Sequence, residues 1–293
     1  MAASAAVGEA MIEFTILGSG SGGNAAVFRT SAGLLMVDAG LSASQLAARL
    51  HAVGVDPGSL SGILLTHEHG DHSRGLDVFT RKYRVPILAN AMTREILRDS
   101  VDAQGLWRTV PGGSVFAFGG FEIETFRVPH DAVDPMGFLL RADGAAVGVL
   151  SDLGHATTLV KAKMQGLDAL FIEANYDEQL LAADTKRPWS TKQRISSRHG
   201  HLSNKQTADL LEETASQRLK SIVLGHLSRD CNSPAAATDA VMVAVTAAGR
   251  NCHVECAGQD EPTAWFKVAG PTEPQPFSHS AGLVVLEQGE LFA

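Results

Sequence analysis

At 293 residues, 45% hydrophobic and 19% charged, with a mean hydropathy of +0.04, the chain is neither disordered nor membranous and has the length for one large or two small domains. Its net charge of −8 argues against coating duplex nucleic acid through a broad basic surface, while leaving a nuclease open. No run of about 18 apolar residues occurs, Met1 to Ala10 lack the basic and apolar regions of a leader, and Cys231, Cys252 and Cys256 show no C-x-x-C spacing, so a cytoplasmic protein with reduced cysteines and no membrane partner is expected.

In chain order, Ile12 to Leu17 reads as a strand running into the flexible turn Gly18-Ser-Gly-Ser-Gly-Gly-Asn24, followed by strands at Ala25 to Arg29 and Gly33 to Val37. Leu41 to Leu50 has helical spacing, Ile63 to Thr66 is a short buried strand, and Asp77 to Tyr83 lies on another helix. From Val110 to Leu150 the turn pairs Gly112-Gly113, Gly119-Gly120 and Asp143-Gly144 separate short apolar runs, as in an antiparallel meander. Helical and strand patterns then alternate: Leu159 to Met164 helix, Ala169 to Glu173 strand, Lys205 to Ala215 helix, Ser221 to Leu224 strand, Ala235 to Ala247 helix. A β-rich part followed by a βα part thus occurs twice. Two mixed β-sheets packed face to face with helices outside, an α/β fold of αββα layers, would bury both sets of apolar faces. Pro-rich Gly270 to Pro276 reads as a linker, which divides the chain into an extension (1–10), one domain (11–269) and a tail (270–293).

The chemistry concentrates in Thr66-His67-Glu68-His69-Gly70-Asp71-His72, three imidazoles and two carboxylates in six positions directly after a strand. Such density is costly unless cations are bound, and zinc or manganese accept imidazole nitrogen and carboxylate oxygen, with iron a further option. No cysteine lies near, so open coordination positions suit the segment better than a closed structural zinc. His130, Asp152 and His226 each follow an apolar run and stand where further donors are needed. Between Thr185 and Ala208 lie Lys186, Arg187, Lys192, Arg194, Arg198 and Lys205 with no Asp or Glu, a basic loop in an acidic chain that ends around His199-Gly-His201.

His67-x-His69-x-Asp71-His72 resembles the H-x-H-x-D-H signature of the metallo-β-lactamase superfamily, and His130, Asp152, His226 and Asp38 fall in its other motif positions in order. The resemblance covers roughly Met11 to Lys267 and implies the metallo-β-lactamase fold with two divalent ions. By it, His67, His69 and His130 hold one ion, Asp71, His72 and His226 the other, Asp152 bridges, and buried Asp38 supports the metal loop. Two such cations lower the pKa of a shared water and neutralise charge on a phosphoryl group. Glu68 points away in the family pattern.

Gly200-His201-Leu-Ser203-Asn204 and His226-Leu-Ser228-Arg229 resemble the RNase Z and phosphodiesterase branch, which makes His201 a general acid beside catalytic Asp71. Closer still is the YycJ/WalJ type, on Leu17 to Asn24, Asp38-Ala-Gly-Leu-Ser42, Thr66 to His72, His130-Asp-Ala-Val-Asp-Pro135, Glu173-Ala-Asn-Tyr-Asp177, Gly200 to Asn204 and His226 to Asn232. Tyr176 departs from it, standing where histidine is expected. That type implies a DNA exonuclease acting from the 5′ end, against the alternatives of a cyclic phosphodiesterase or an RNase Z-like ribonuclease; a non-catalytic metal protein is disfavoured by the full donor set. Ser19, Ser21, Asn24, Ser203, Asn204, Ser228, Arg229 and Arg198 are candidates to hold substrate, and Trp189 or Phe79 to stack a base. Ser203 or Asn204 would equally serve as a helix cap. Gln288-Gly-Glu-Leu-Phe292 resembles the Q-x-x-L-F peptide that binds bacterial sliding clamps, the alternative being that Leu283 to Leu286 forms an edge strand.

Overall fold

From Phe14 onward every residue of the first strand, Met11–Gly18 (β1), is buried, as befits a strand covered on both faces. After it come β2 (Ala25–Arg29), β3 (Leu34–Val37), α1 (Ala43–Ala52), β4 (Gly62–Leu64), the single turn α2 (Gly70–Ser73), α3 (Leu76–Tyr83), β5 (Ile87–Ala89), α4 (Ala91–Leu97) and β6 (Trp107–Thr109). The second half holds β7 (Ser114–Phe118), β8 (Phe121–Arg127), β9 (Met136–Ala142), β10 (Ala145–Leu150), α5 (Thr158–Lys163), β11 (Ala169–Glu173), α6 (Glu178–Ala183), α7 (Trp189–Ile195), α8 (Asn204–Thr214), β12 (Ser221–Gly225), α9 (Pro234–Ala247), β13 (His253–Cys256), β14 (Phe266–Ala269) and β15 (Val284–Leu286). This computed structural model describes residues 11–270 and 284–286; the expected extension 1–10 and the peptide Gln288 to Phe292 lie outside the described residues.

Among the described residues the strands form a seven-stranded sheet, β14-β1-β2-β3-β4-β5-β6, and an eight-stranded sheet, β13-β12-β11-β10-β9-β8-β7-β15. Each begins as an antiparallel meander, β1 to β3 or β7 to β10, and continues as parallel strands, β3 to β6 or β10 to β13. The repeated order of β-rich and βα parts is therefore real, and both sheets are mixed as expected. A core of Phe14, Phe28, Phe116, Phe138, Val149 and their neighbours fills the space between the sheets. Leu46, Leu50, Leu76 and Phe79 from α1 and α3 cover one outer face, and Val160, Leu211, Val241 and Val245 from α5, α8 and α9 cover the other, completing the αββα layers.

Several elements depart from the sequence reading. Residues 87 to 109 contain β5, α4 and β6, and the basic stretch carries the unexpected helix α7 ahead of α8, which falls where a helix was expected. In the expected tail, Val284–Leu286 pairs in parallel with β7 at the edge of the second sheet, as the edge-strand alternative for Leu283 to Leu286 had it. Phe79 is fully buried beside Tyr83, which excludes it as a stacking surface, whereas Trp189 is 71% exposed. No helix of the described residues is long and apolar enough to cross a membrane, and none of the three cysteines is paired.

Candidate metal centre

Parallel strands deliver their carboxyl ends to one edge, and there the loops of both sheets meet. Asp38 leaves β3 and His226 leaves β12, both with left-handed φ (61° and 55°), a conformation that costs a non-glycine residue about 1–3 kcal/mol and recurs at functional sites. Asp38, itself buried, repays part of that cost. One carboxylate oxygen accepts the Thr66 amide at 2.9 Å, and the other accepts His72 Nδ1 at 2.7 Å. The turn α2 is locked from the far side, where Asn24 N donates to Asp71 O at 2.7 Å and Ala39 N to His72 O at 2.7 Å.

With Nδ1 of His72 committed to Asp38, and Nδ1 of His130 donating to the Gly200 carbonyl at 2.9 Å, both rings turn Nε2 into the cleft. Two donor sets face each other there. In the first, His67 Nε2 lies 3.0 Å from His69 Nδ1, His69 Nδ1 lies 3.4 Å from His130 Nε2, and His130 Nε2 lies 3.3 Å from Asp152 Oδ2. In the second, Asp71 Oδ2 is 3.3 Å from His226 Nε2 and 3.7 Å from His72 Nε2, which is 3.4 Å from Asp152 Oδ1. Ligand bonds of ~2.0–2.1 Å place tetrahedral donors about 3.4 Å apart, so both spacings suit a divalent cation.

Asp152 offers one oxygen to each set, and its buried Oδ1 has no hydrogen-bond partner among the described residues, the condition of a ligand awaiting a cation. Burial opposes its charge, but the surrounding His226, His72 and His130 rings hold its carboxyl well below the usual carboxylate range. His226 shows the converse: burial disfavours its proton, yet Asp152, Asp71 and Glu173 push it up to about 10. His72 is likewise raised against burial, by Asp152 and Asp38, while burial and the neighbouring His72 hold His67 well below its ordinary range. Such a buried cluster demands positive charge.

Glu173 is the functional residue that the sequence reading quoted only within a motif. It ends β11 fully buried; Oε1 accepts the Leu153 amide at 2.6 Å and the Leu202 amide at 3.0 Å, while Oε2 lies 3.0 Å from His201 Nδ1. A lone acid closing an apolar run was its signal. His201 consequently stands over the cleft, its ring 5.1 Å from that of His130 and 5.0 Å from that of His226. Burial lowers the proton affinity of His201, but the Glu173 carboxylate outweighs it and raises the imidazole above its ordinary value.

The cleft of about 350 Å³ is also lined by Ser21, Ser228, Asp131, Arg187, Thr191 and Arg194. Of the expected substrate contacts, only Ser21 and Ser228 reach it. Ser19 and Asn24 are buried: Ser19 Oγ accepts the His226 amide at 2.7 Å, and Asn24 braces Gly20 and Asp71. Ser203 caps α8 in a capping box with Gln206, and buried Asn204 exchanges hydrogen bonds with Asn232 at 2.8 Å. Arg229 is tied to Gln259 and Asp260, and Arg198 lies outside the lining. Ser19 and Asn24 are thus consumed in bracing the metal loops, and Ser203 and Asn204 in fixing the start of α8. Glu68 behaves as the pattern implied, with Oε1 accepting the Val133 amide at 2.9 Å. Tyr176 is buried outside the cleft, and burial together with Glu178 and Glu173 pushes its hydroxyl up to about 12.

Known proteins resemble the chain in sequence and in fold. The family model described as "Beta-lactamase superfamily domain" matches residues 34–226. The exodeoxyribonuclease WalJ of Streptococcus pneumoniae (serotype 2, strain D39) is 37% identical over 225 residues, covering 75% of this chain and 83% of the relative. The exodeoxyribonuclease YycJ of Bacillus anthracis is 34% identical over 226 residues, covering 75% and 84%. Among solved structures, the metallo-beta-lactamase fold protein YhfI of Bacillus subtilis superposes with a TM-score of 0.66 at 15% identity, over 88% of this chain and 100% of that one, which attests the fold. Signature, fold and relatives agree: the chain belongs to the beta-lactamase superfamily and, within it, to the YycJ/WalJ type.

Proposed function

We propose that this hydrolase is a metal-dependent phosphodiesterase that digests DNA from its 5′ end. The observation that carries the reading is His201, backed by buried Glu173 and poised above two facing donor sets. A phosphodiester must be attacked on one side while its departing oxygen receives a proton on the other. Divalent cations held by His67, His69 and His130, and by Asp71, His72 and His226 with Asp152 between, would activate the attacking water and neutralise the phosphoryl charge.

Glu173 accepts a hydrogen bond from the Nδ1–H of His201 and so directs the protonated Nε2 of His201 toward the leaving oxygen, which takes the Nε2 proton. Asp71, held ionised by His226 and His72 against the cost of burial, accepts a hydrogen bond from the attacking water and orients it. The exodeoxyribonuclease names of the relatives, of which this chain covers 83% and 84%, favour DNA over RNA. Imidazole and carboxylate donors suit zinc or manganese, and iron is the third choice. We propose a cytoplasmic location, as the sequence reading expects.

Incubation with manganese, and separately with zinc, on DNA labelled at either end should release mononucleotides from the 5′ end and leave the His69→Ala protein inactive. Cleavage of RNA alone would replace this reading by a ribonuclease, and turnover of bis-p-nitrophenyl phosphate without nucleic-acid cleavage by a cyclic phosphodiesterase. We further propose that Gln288 to Phe292 binds the sliding clamp, on the strength of the Q-x-x-L-F pattern behind a Pro-rich linker. Deletion of Gln288 to Ala293 should abolish clamp binding, and an unchanged signal would refute it.

A further inference from the structure

Helix α7 separates two depressions. Thr191, Arg194 and Ile195 line the metal cleft, whereas Trp189, Lys192, Gln193 and Ser196, at i, i+3, i+4 and i+7, line a second groove of about 370 Å³. No residue of α7 is fully buried, and Ile195 alone packs against the small cluster of Tyr176, Leu181 and Cys231, so core packing does not account for Trp189 or Lys192. Trp189 stands 71% exposed at its N-terminal end. Nearby Lys186 and Arg187 are paired with Asp230 and Asp184, but Lys192 donates only to the Ala182 carbonyl, and neither it nor Arg198 makes an ion pair among the described residues. Arg194 reaches the cleft mouth with Asp131 Oδ2 3.3 Å away. At the C-terminal end the Ile195 carbonyl accepts the His201 amide at 2.8 Å, and a Cβ on Gly200 would lie 2.2 Å from the Arg194 and Ile195 carbonyl oxygens. The helix is thereby held in register with His201.

Resting on the DNA reading above, we propose that α7 is a strand guide: a single-stranded DNA end seated in the metal cleft crosses this helix, Arg194 and Lys192 hold successive phosphates, and a base stacks on Trp189. The occupant is single-stranded, because a base offers its face to an indole only outside a duplex, and an exposed aromatic beside cationic side chains is the usual platform for such strands. A helix with its side chains is about 10 Å across, so the stacked base lies within a few nucleotides of the cleaved bond.

The test compares the full-length protein with Trp189→Ala and Trp189→Phe on a single-stranded oligonucleotide and on bis-p-nitrophenyl phosphate. Trp189→Ala should raise KM for the oligonucleotide roughly tenfold, from the usual worth of one stacked base. It should leave the small diester unchanged, and Trp189→Phe should restore most of the loss. An abasic site stepped along the oligonucleotide should raise the wild-type KM by a like factor at one position, and there Trp189→Ala should add nothing further. A wild-type KM for Trp189→Ala, or additive effects at every position, would overturn the proposal. If no protein cleaves DNA while all turn over the small diester, the DNA reading has failed and this inference falls with it.

Discussion

Asp38 does three things with two oxygens: it holds the Thr66 amide, the Thr66 hydroxyl and His72 Nδ1. Partners behind a ligating histidine typically contribute 10- to 100-fold in metal affinity. Asp38→Ala should therefore weaken metal binding by about that factor in competition with a chromogenic chelator, and unchanged affinity would show that packing alone orients His72. For His201 the expected effect is on pH. A general acid must be protonated, and Glu173 raises His201 against burial, so activity should persist through neutral pH and fall as pH rises through the raised value. Glu173→Gln removes that charge and should shift the alkaline limb of kcat/KM to lower pH; a limb that stays in place would assign it to another group. The ligand cluster was legible in the sequence because imidazoles and carboxylates at such density are too costly to bury by chance. Glu173 was not, because one acid after Ala169-Leu-Phe-Ile reads as the end of a strand, and only the folded chain shows His201 brought to it.

At the scale of elements, the loops behave as one interlocked piece. Gly40 lies so close to α2 that a Cβ there would sit 1.6 Å from the Asp71 carbonyl oxygen. Gly40→Ala should thus force the Asp38 loop away from the metal loop, with loss of bound metal and a lowered Tm, whereas a fully metallated and equally stable variant would mean that the loops move independently. Strands with four consecutive apolar residues, such as β2 and β11, could be read directly, since burial on both faces leaves an uninterrupted run. The three-residue strands β5 and β6 could not: Ile87–Ala89 is too short to display a period, and its strand character comes from pairing with β4. Helix α7 escaped for another reason. With no buried residue it lacks the apolar stripe by which a helix is recognised, and its charges suggested a loop.

For the whole molecule, the donors come from both sheets: His67, His69, Asp71 and His72 follow β4 in one, and His130, Asp152 and His226 follow β8, β10 and β12 in the other. Cations held there would fasten the two halves and relieve uncompensated buried charge. A ligand present at a hundred times its dissociation constant adds about 2.7 kcal/mol to stability, so chelation should lower Tm by several degrees and restored metal should reverse it. His69→Ala should blunt that shift, and an identical Tm with and without metal would show that the sheets need no fastening. The intersheet core is the independent contributor: Phe138→Ala, at a fully buried site, should cost about 3–5 kcal/mol in urea unfolding while leaving metal stoichiometry intact in the folded fraction.

The placement of donors on both sheets also bears on how the protein is made. His67 to His72 leave the ribosome long before His226, which needs β12 paired with β11 to take its place. A nascent or truncated product that stops short of His226 lacks a donor of the second set, so the proposed pair of cations could be held only once synthesis has passed that point.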